Sequence, residues 1–234
     1  MKNFDSPSRT YNAIQLSANR RFNSNLFLQA TYTYSKLKGN FPGLFSPETG
    51  QTDPNITSMY DLPELMANRY GPLAADRPHN VKVDGYYNLP VKSLGYFLFG
   101  SSIRASSGMP ANTLGTHISY GDGEVYILPR GSAERLPFTS QMDLKLQFGR
   151  QLSKTMKVEA WVDLFNLFNL QPAVATDNFY TFDVVNPIVG GDASDLAHLK
   201  AAGESRTADV NPNYGNPAVR QAPLTIRFRA RLTF

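Results

Sequence analysis

Side chains that carry chemistry are few in this 234-residue sequence, and they are not arranged for catalysis. The absence of cysteine excludes thiolate metal sites, cysteine nucleophiles and disulfides. The three histidines, His79, His117 and His198, lack the spacing of a zinc-binding helical pair. No serine, histidine and aspartate can be assigned to a hydrolytic triad, so a hydrolase is the weakest alternative. We therefore predict no catalytic residue, no metal site and no cofactor.

Charged side chains instead recur at alternate positions of regular segments. In the last eleven residues, Leu224 to Phe234, apolar residues alternate with threonine and arginine. A period of two is typical of a strand, because successive side chains of a strand face opposite sides. Across all such segments the polar side carries Lys82, Asp84, Arg104, Asp143, Lys145, Lys157, Glu159, Asp163, Arg227, Arg229 and Arg231.

The alternation predicts seven antiparallel strands. Their predicted ranges are Tyr11–Arg21, Leu26–Lys36, Asn80–Leu89, Tyr96–Ser106, Gln141–Phe148, Met156–Phe165 and Leu224–Phe234. The apolar side of these strands carries no acidic residue, and we identify Arg20 as its only base. Since arginine or lysine at mid-bilayer costs about 2–4 kcal/mol on the lipid face of a barrel, this pattern favours strands that cross a membrane.

The links between strands alternate between short and long. The links near residues 22, 91 and 151 are brief, whereas those over about 37–79, 107–140 and 166–223 are far longer than usual. Short periplasmic turns and long extracellular loops are typical of outer-membrane barrels. We predict that the loop aromatics pack mainly among themselves, and contact with a ligand is the alternative. A soluble antiparallel sandwich with one buried face is the alternative, although its loops are rarely long on one side only.

Aromatic residues collect near the predicted strand ends. We expect two girdles at the membrane interfaces, formed by Tyr32, Tyr34, Tyr87, Phe97, Phe148 and Phe234. The terminal segment also resembles the signal that outer-membrane proteins present to the barrel-assembly machinery. That resemblance assigns the signal to Ile226, Phe228, Ala230, Leu232 and Phe234.

Composition agrees with a barrel and argues against a nucleic-acid partner. The formal net charge is only +4, and the basic residues are spread along the chain. No apolar run is long enough for a spanning helix. The first eight residues contain no apolar core of a secretory signal.

Several segments resemble, in order, the barrel of TonB-dependent receptors, particularly their Oar-like branch. The matching segments are Tyr11-Asn-Ala-Ile14, Asn19-Arg-Arg-Phe22, Ala30-Thr-Tyr-Thr-Tyr-Ser-Lys36, Asp76-Arg-Pro-His-Asn80, Tyr87-Asn-Leu-Pro90, Ser107-Gly-Met-Pro110, Asp163-Leu-Phe-Asn-Leu-Phe-Asn169 and Phe234. The resemblance implies a plugged barrel of about 22 strands in the bacterial outer membrane, which imports a scarce nutrient with energy delivered through TonB.

Seven strands are fewer than the roughly eight of the smallest usual outer-membrane barrels. We therefore expect residues 1–234 to be the C-terminal part of a larger barrel, without plug or signal peptide, and Met1 to be an internal start. Its expected partners are outer-membrane lipid, the rest of the barrel and its plug, the TonB complex and the barrel-assembly machinery. A structural, adhesive or passive-pore barrel is the alternative function, and the ligand cannot be read from the sequence.

The charges on the polar side are expected to face the lumen. We predict that neighbouring strands pair some of them, for example Asp143 or Lys145 with Lys157 or Glu159, and that others contact the plug. Simple solvation of the lumen is the equally weighted alternative.

Overall fold

A computed structural model of the protein describes residues 7–45 and 58–234. Its long strands are β1 (Arg9–Arg21), β2 (Leu26–Gly39), β4 (His79–Val91), β5 (Gly95–Ser106), β8 (Thr139–Gln151), β9 (Lys157–Phe165) and β13 (Thr225–Thr233). Each pairs antiparallel with the next in this order, so β1 and β13 are the edges of an open sheet. The seven predicted strands and the all-β antiparallel fold are confirmed. Met1 and the rest of residues 1–6 lie outside the described residues, as do residues 46–57.

The strand register keeps the apolar residues on one face. Ala30 of β2 lies opposite Val83 of β4, and Ala230 of β13 lies opposite Ala160 of β9. This apolar face is not covered within the described part of the chain; Phe228, for example, is 75% exposed. We call it the outward face and the opposite side the inward face.

The outward face carries more bases than the alternation predicts. Lys36 already lies at an outward position of the predicted strand. β2 continues to Gly39 and adds Lys38, while β8 continues to Gln151 and adds Arg150. The expectation that Arg20 is the only outward base is therefore wrong. These additional bases all lie at strand ends, where a charged head group reaches the membrane interface at little cost.

Short turns join the strands at one end of the sheet. Asn23 closes the first turn, because its Oδ1 accepts the backbone N–H groups of Asn25 and Leu26, both at 2.8 Å. The 3-10 turn Lys92–Leu94 leads into Gly95, where φ is 124°. A Cβ at Gly95 would lie 2.2 Å from the carbonyl oxygen of Gly149, so only glycine fits this close approach.

The long links at the other end contain secondary structure of their own. They contain β3 (Gly71–Pro72), β6 (Leu114–His117), β7 (Gly121–Tyr126), β10 (Ala173–Thr176), β11 (Phe179–Val184), β12 (Pro217–Arg220), the short helix α1 (Pro63–Met66) and 3-10 turns at Ser58–Tyr60 and Ala193–His198. β11, β6 and β7 form one small sheet, and β10 pairs with β12. We call this assembly the loop cap.

The loop cap contains the main hydrophobic core of the described chain. The cluster consists of Val125, Ile127, Leu128, Tyr180, Val185, Leu199 and Ala208, with Ile188, Leu196 and Tyr214 packed against it. The core lies away from the large sheet, because neither face of that sheet is covered by a second layer within residues 7–45 and 58–234. None of the helices in the described ranges is long and apolar enough to span a bilayer.

Candidate functional site

Opposite charges from two neighbouring strands meet on the inward face. The register places Arg227 opposite Asp163 and Arg231 opposite Glu159. Asp163 Oδ2 accepts Arg227 Nη2 at 3.1 Å and Arg229 Nη2 at 2.5 Å, and Glu159 Oε2 accepts Arg231 Nη2 at 2.5 Å. We call these five side chains the inward ladder.

Glu159 is held by more than one partner. Its Oε1 lies 2.8 Å from Lys157 Nζ and accepts the Tyr96 hydroxyl at 2.6 Å and Gln147 Nε2 at 3.2 Å. Glu159 is therefore only 3% exposed, although it faces the open side of the sheet. A buried carboxylate of this kind is tolerated because both oxygens accept charge-assisted hydrogen bonds.

Trp161 separates the two carboxylates of the inward ladder. Lys145 Nζ lies 5.3 Å and the Arg229 guanidinium carbon 5.4 Å from the centre of its indole ring. Both distances lie within the range of cation–π attraction. The indole ring therefore contacts a cation from β8 and a cation from β13.

The remaining predicted inward charges have simpler environments. Arg104 Nη2 donates to Asp84 at 2.8 and 3.0 Å, and the two side chains are 44% and 42% exposed. Lys82 lies opposite Arg104. Asp143 accepts Gln141 Nε2 at 2.8 Å and the Asn166 backbone N–H at 2.9 Å.

The charge pairs expected from sequence differ from those in the structure. The register of β8 and β9 places Lys145 opposite Asp163, and Gly149 opposite Glu159. Lys145 thus reaches Trp161, while Glu159 takes its cations from Lys157 and β13. These partners depend on the strand register. A register shift of two residues leaves the same side chains facing inward, so alternation does not specify the partners.

The aromatic residues assigned to girdles lie near both ends of the outward face. At the loop end the Tyr32 hydroxyl is 2.8 Å from His79 Nδ1, and the Tyr34 and His79 rings are 5.4 Å apart. At the turn end the Phe97 and Phe148 rings are 5.1 Å apart. Tyr87 is exposed beside this end, and Phe234 is 90% exposed. Their depth in a membrane stays a prediction.

The predicted assembly signal lies along the free edge of the sheet. Its members are Ile226, Phe228, Ala230, Leu232 and Phe234, all exposed. β13 pairs with β9 through one edge only. An assembly factor therefore has both the outward side chains and an unpaired backbone edge available within the described chain; the role itself stays a prediction.

A buried carboxylate joins the loop cap to the sheet. Asp76 is 4% exposed; its Oδ1 accepts the Leu37 backbone N–H at 2.7 Å, and its Oδ2 accepts Arg135 Nη2 at 2.7 Å. Arg135 also donates to the Gly108 carbonyl at 2.8 Å. This pair therefore fastens two long loops to the end of β2.

Asn68 connects all three long loops. Its Nδ2 lies 3.1 Å from the Tyr126 oxygen, 2.9 Å from the Ile127 oxygen and 3.1 Å from the Ile188 oxygen. Its backbone φ is 61°, a value that asparagine tolerates better than most residues. Sequence reasoning missed Asn68 because a single loop asparagine has no periodic signal.

Asn68→Ala is expected to loosen the cap. It removes the shared amide donor and leaves three buried carbonyls less satisfied, a loss of about 1–3 kcal/mol. The measurement is hydrogen–deuterium exchange in the full-length protein, where the amides of Ile127 and Ile188 should exchange faster. Asn68→Gly, which accepts the positive φ, isolates the loss of the amide. Asn186→Ala is the matched control, because Asn186 is exposed and makes no side-chain hydrogen bond among the described residues.

A cleft of about 890 Å³ opens within the loop cap. Its walls come from two loops and include Asn112, Glu134, Asp177, Asp192 and Tyr214. Arg135 also lines it but is paired with Asp76. The lining mixes apolar, amide and carboxylate groups, which suits a small polar organic ligand more than an anion.

The loop aromatics behave differently from one another. Tyr126 and Tyr180 are buried, and Tyr180 makes an edge-on contact with Tyr214 at 5.2 Å. Tyr70 and Phe45 stay exposed. Packing within the cap therefore accounts for only some of these side chains.

Ionisable groups in the cap form ion pairs and hydrogen bonds. His117 is buried, with Nε2 3.7 Å from Glu64 Oε1. The pKa of Asp183 is lowered to about 2, because Arg206 and the Asp209 backbone N–H donate to it. Within residues 7–45 and 58–234, no cluster of three or more histidine, aspartate or glutamate side chains is arranged to hold a metal ion.

Residues 2–110 match the outer membrane beta barrel domain family. With the open antiparallel sheet and its exposed apolar face, this match places the chain in the bacterial outer membrane. The fold is that of an open fragment of an outer-membrane β-barrel.

The chain is also similar to the TonB-dependent transporter Oar of Myxococcus xanthus. The two are 40% identical over 243 residues, an alignment that covers 99% of this chain and 23% of the relative. The chain thus spans about a quarter of the length of the curated relative it matches. No solved structure matches the chain.

Proposed function

We propose that residues 1–234 form the C-terminal part of the barrel of a TonB-dependent transporter. The observation that carries this proposal is the 40% identity, over nearly the entire chain, to a protein named as such a transporter. The open edges of the sheet support it, because unpaired backbone groups are not tolerated in lipid and require partner strands. In the complete barrel of about 22 strands, further strands pair with β1 and β13.

The whole protein then takes up a scarce nutrient, such as a siderophore, an oligosaccharide or a peptide. The loop cap supports this role, since its core and the Asp76–Arg135 pair hold a cleft at the extracellular end. Loops held on a rigid scaffold commonly form binding sites. The 890 Å³ cleft is large enough for a small organic ligand.

Energy coupling is assigned to a plug that contacts TonB. The inward ladder supports a plug contact, because the side chains of Arg227, Arg229 and Arg231 remain between 43% and 62% exposed. They retain donors for a domain inside the barrel. Assembly is assigned to the barrel-assembly machinery through the exposed terminal strand.

The test is growth and uptake in the native bacterium. Cells with the gene deleted are compared with wild type on ferric siderophores, oligosaccharides and peptides, each as the limiting nutrient. We expect loss of growth on one class and loss of uptake of the labelled compound. The same loss is expected when TonB is removed or the proton gradient is collapsed.

Uptake that survives loss of TonB would contradict the proposal and favour a passive pore. A deletion strain with normal uptake but weakened adhesion or envelope integrity would favour a structural barrel. Asn186→Ala supplies the matched strain, since its protein should assemble and transport normally.

A further inference from the structure

The loop end of β2 carries two lysines on the outward face. Tyr32, Tyr34, Lys36 and Lys38 alternate there and are all exposed, whereas the intervening Leu37 is buried against the cap. We call Lys36 and Lys38 the rim lysines. Since a strand rises about 3.4 Å per residue, their Cα atoms lie about 7 and 14 Å beyond Tyr34 along the strand.

The rim lysines have no anionic neighbour in the described chain. Lys36 lies opposite Asn12, and Lys38 lies opposite Thr10 and Pro72. Neither Nζ makes an ion pair or hydrogen bond within residues 7–45 and 58–234. Neighbouring like charges repel each other, and an anion bound beside them offsets this repulsion.

An aromatic cluster lies next to the rim lysines, nearer the middle of β2. The Tyr32 hydroxyl is hydrogen-bonded to His79, whose ring also contacts Tyr34. Tyrosine rings with a polar tip favour the boundary between lipid tails and head groups. If these rings mark that boundary, the rim lysines lie at the level of the head groups.

We propose that Lys36 and Lys38 bind the phosphate groups of a lipid head group in the outer leaflet. The proposal rests on the orientation in the proposed function, with the loop cap outside the cell. Lysine binds phosphate as a point charge, and basic clusters beside a membrane recognise anionic head groups. Charge complementarity and position just beyond an aromatic band both favour this occupant.

The site is confined to one side of the sheet. At the loop ends of the other long strands, the outward positions carry uncharged residues, namely Ala105, Ser140, Leu164 and Ile226. Arg20 and Arg150 lie at the turn end. The head group is therefore expected beside β1, β2 and β4.

The test measures binding of lipid A to the full-length protein in detergent by native mass spectrometry. Lys36→Gln with Lys38→Gln is expected to weaken binding about tenfold, since each lysine near an anionic surface contributes severalfold. Dephosphorylated lipid A should bind equally well to this variant and to the wild-type protein. Lys36→Arg with Lys38→Arg should retain binding of lipid A. Excess inorganic phosphate should not displace lipid A from the wild-type protein.

Lys92→Gln with Lys154→Gln is the matched control, because it removes two turn-end lysines and should leave binding unchanged. Equal binding by the rim variant, or an equal loss in the control, would overturn the proposal. Displacement by inorganic phosphate would also overturn it, by showing a site for the free ion. Nutrient uptake measured in the same strains separates this result from the proposed function, since lipid binding does not require TonB.

Discussion

Leu146→Arg is expected to destabilise the folded barrel by about 2–4 kcal/mol, because it places a cation near the middle of the outward face. Leu146 lies opposite Phe99 on one side and Val162 on the other, so it is surrounded by apolar side chains. The described strands offer an arginine at this depth no carboxylate on the outward face, so it reaches water only by distorting the bilayer.

The neighbouring substitution Gln147→Arg is the matched control. Gln147 faces inward, where its Nε2 already donates to Glu159 Oε1 at 3.2 Å and to the Tyr96 hydroxyl at 3.1 Å. An arginine at this position can donate to the same acceptors, so we expect the free energy of unfolding to change by less than about 1 kcal/mol. The measurement is urea unfolding of the full-length protein in lipid vesicles. Equal losses at the two positions, or the reverse order, would contradict the assignment of the outward face to lipid.

The double substitution Glu159→Gln and Asp163→Asn should give the second large effect. It removes the anions that hold Arg227, Arg229 and Arg231 and leaves three neighbouring cations on one strand. Hydrogen bonds to charged groups contribute about 1.5–3 kcal/mol each. Because the arginines are about half exposed, water partly replaces the lost hydrogen bonds. We therefore expect the free energy of unfolding to fall by about 2–4 kcal/mol in total.

The loss should weaken the pairing of β13 with β9, because both carboxylates lie on β9 and all three arginines lie on β13. The measurement is the temperature at which the folded form is lost on gels without boiling. Asp84→Asn provides the control. The Asp84 side chain is 42% exposed, against 9% for Asp163 and 4% for Glu159, so the free energy of unfolding should fall by less than about 1 kcal/mol. A double variant as stable as this control would show that solvation alone satisfies the inward ladder.

The arrangement of the seven strands was predictable from sequence because its cause is local. A residue such as Ile226 or Arg227 is assigned to a face by its position in a two-residue period. The sheet then follows from short turns that permit only antiparallel neighbours, as at Asn23. The outer-membrane class follows from the same alternation together with the long loops on one side.

Strand ends and pairing partners were less predictable. Lys38 belongs to β2 because the strand continues beside β3 and the cap, where Leu37 donates to Asp76. The partners of Glu159 depend on the register of β8, β9 and β13, which alternation leaves open. The sequence therefore indicated which charges face inward, but not which of them meet.

The chain's alternation determined the number of long strands, their two faces and their membrane class. Only the tertiary structure decided which residues of the long loops contact each other in the loop cap. Asn68 and Ile188 are 120 residues apart in sequence, yet one amide joins them. Such contacts depend on how separate loops pack around a shared core, and no local period of residue types specifies that packing.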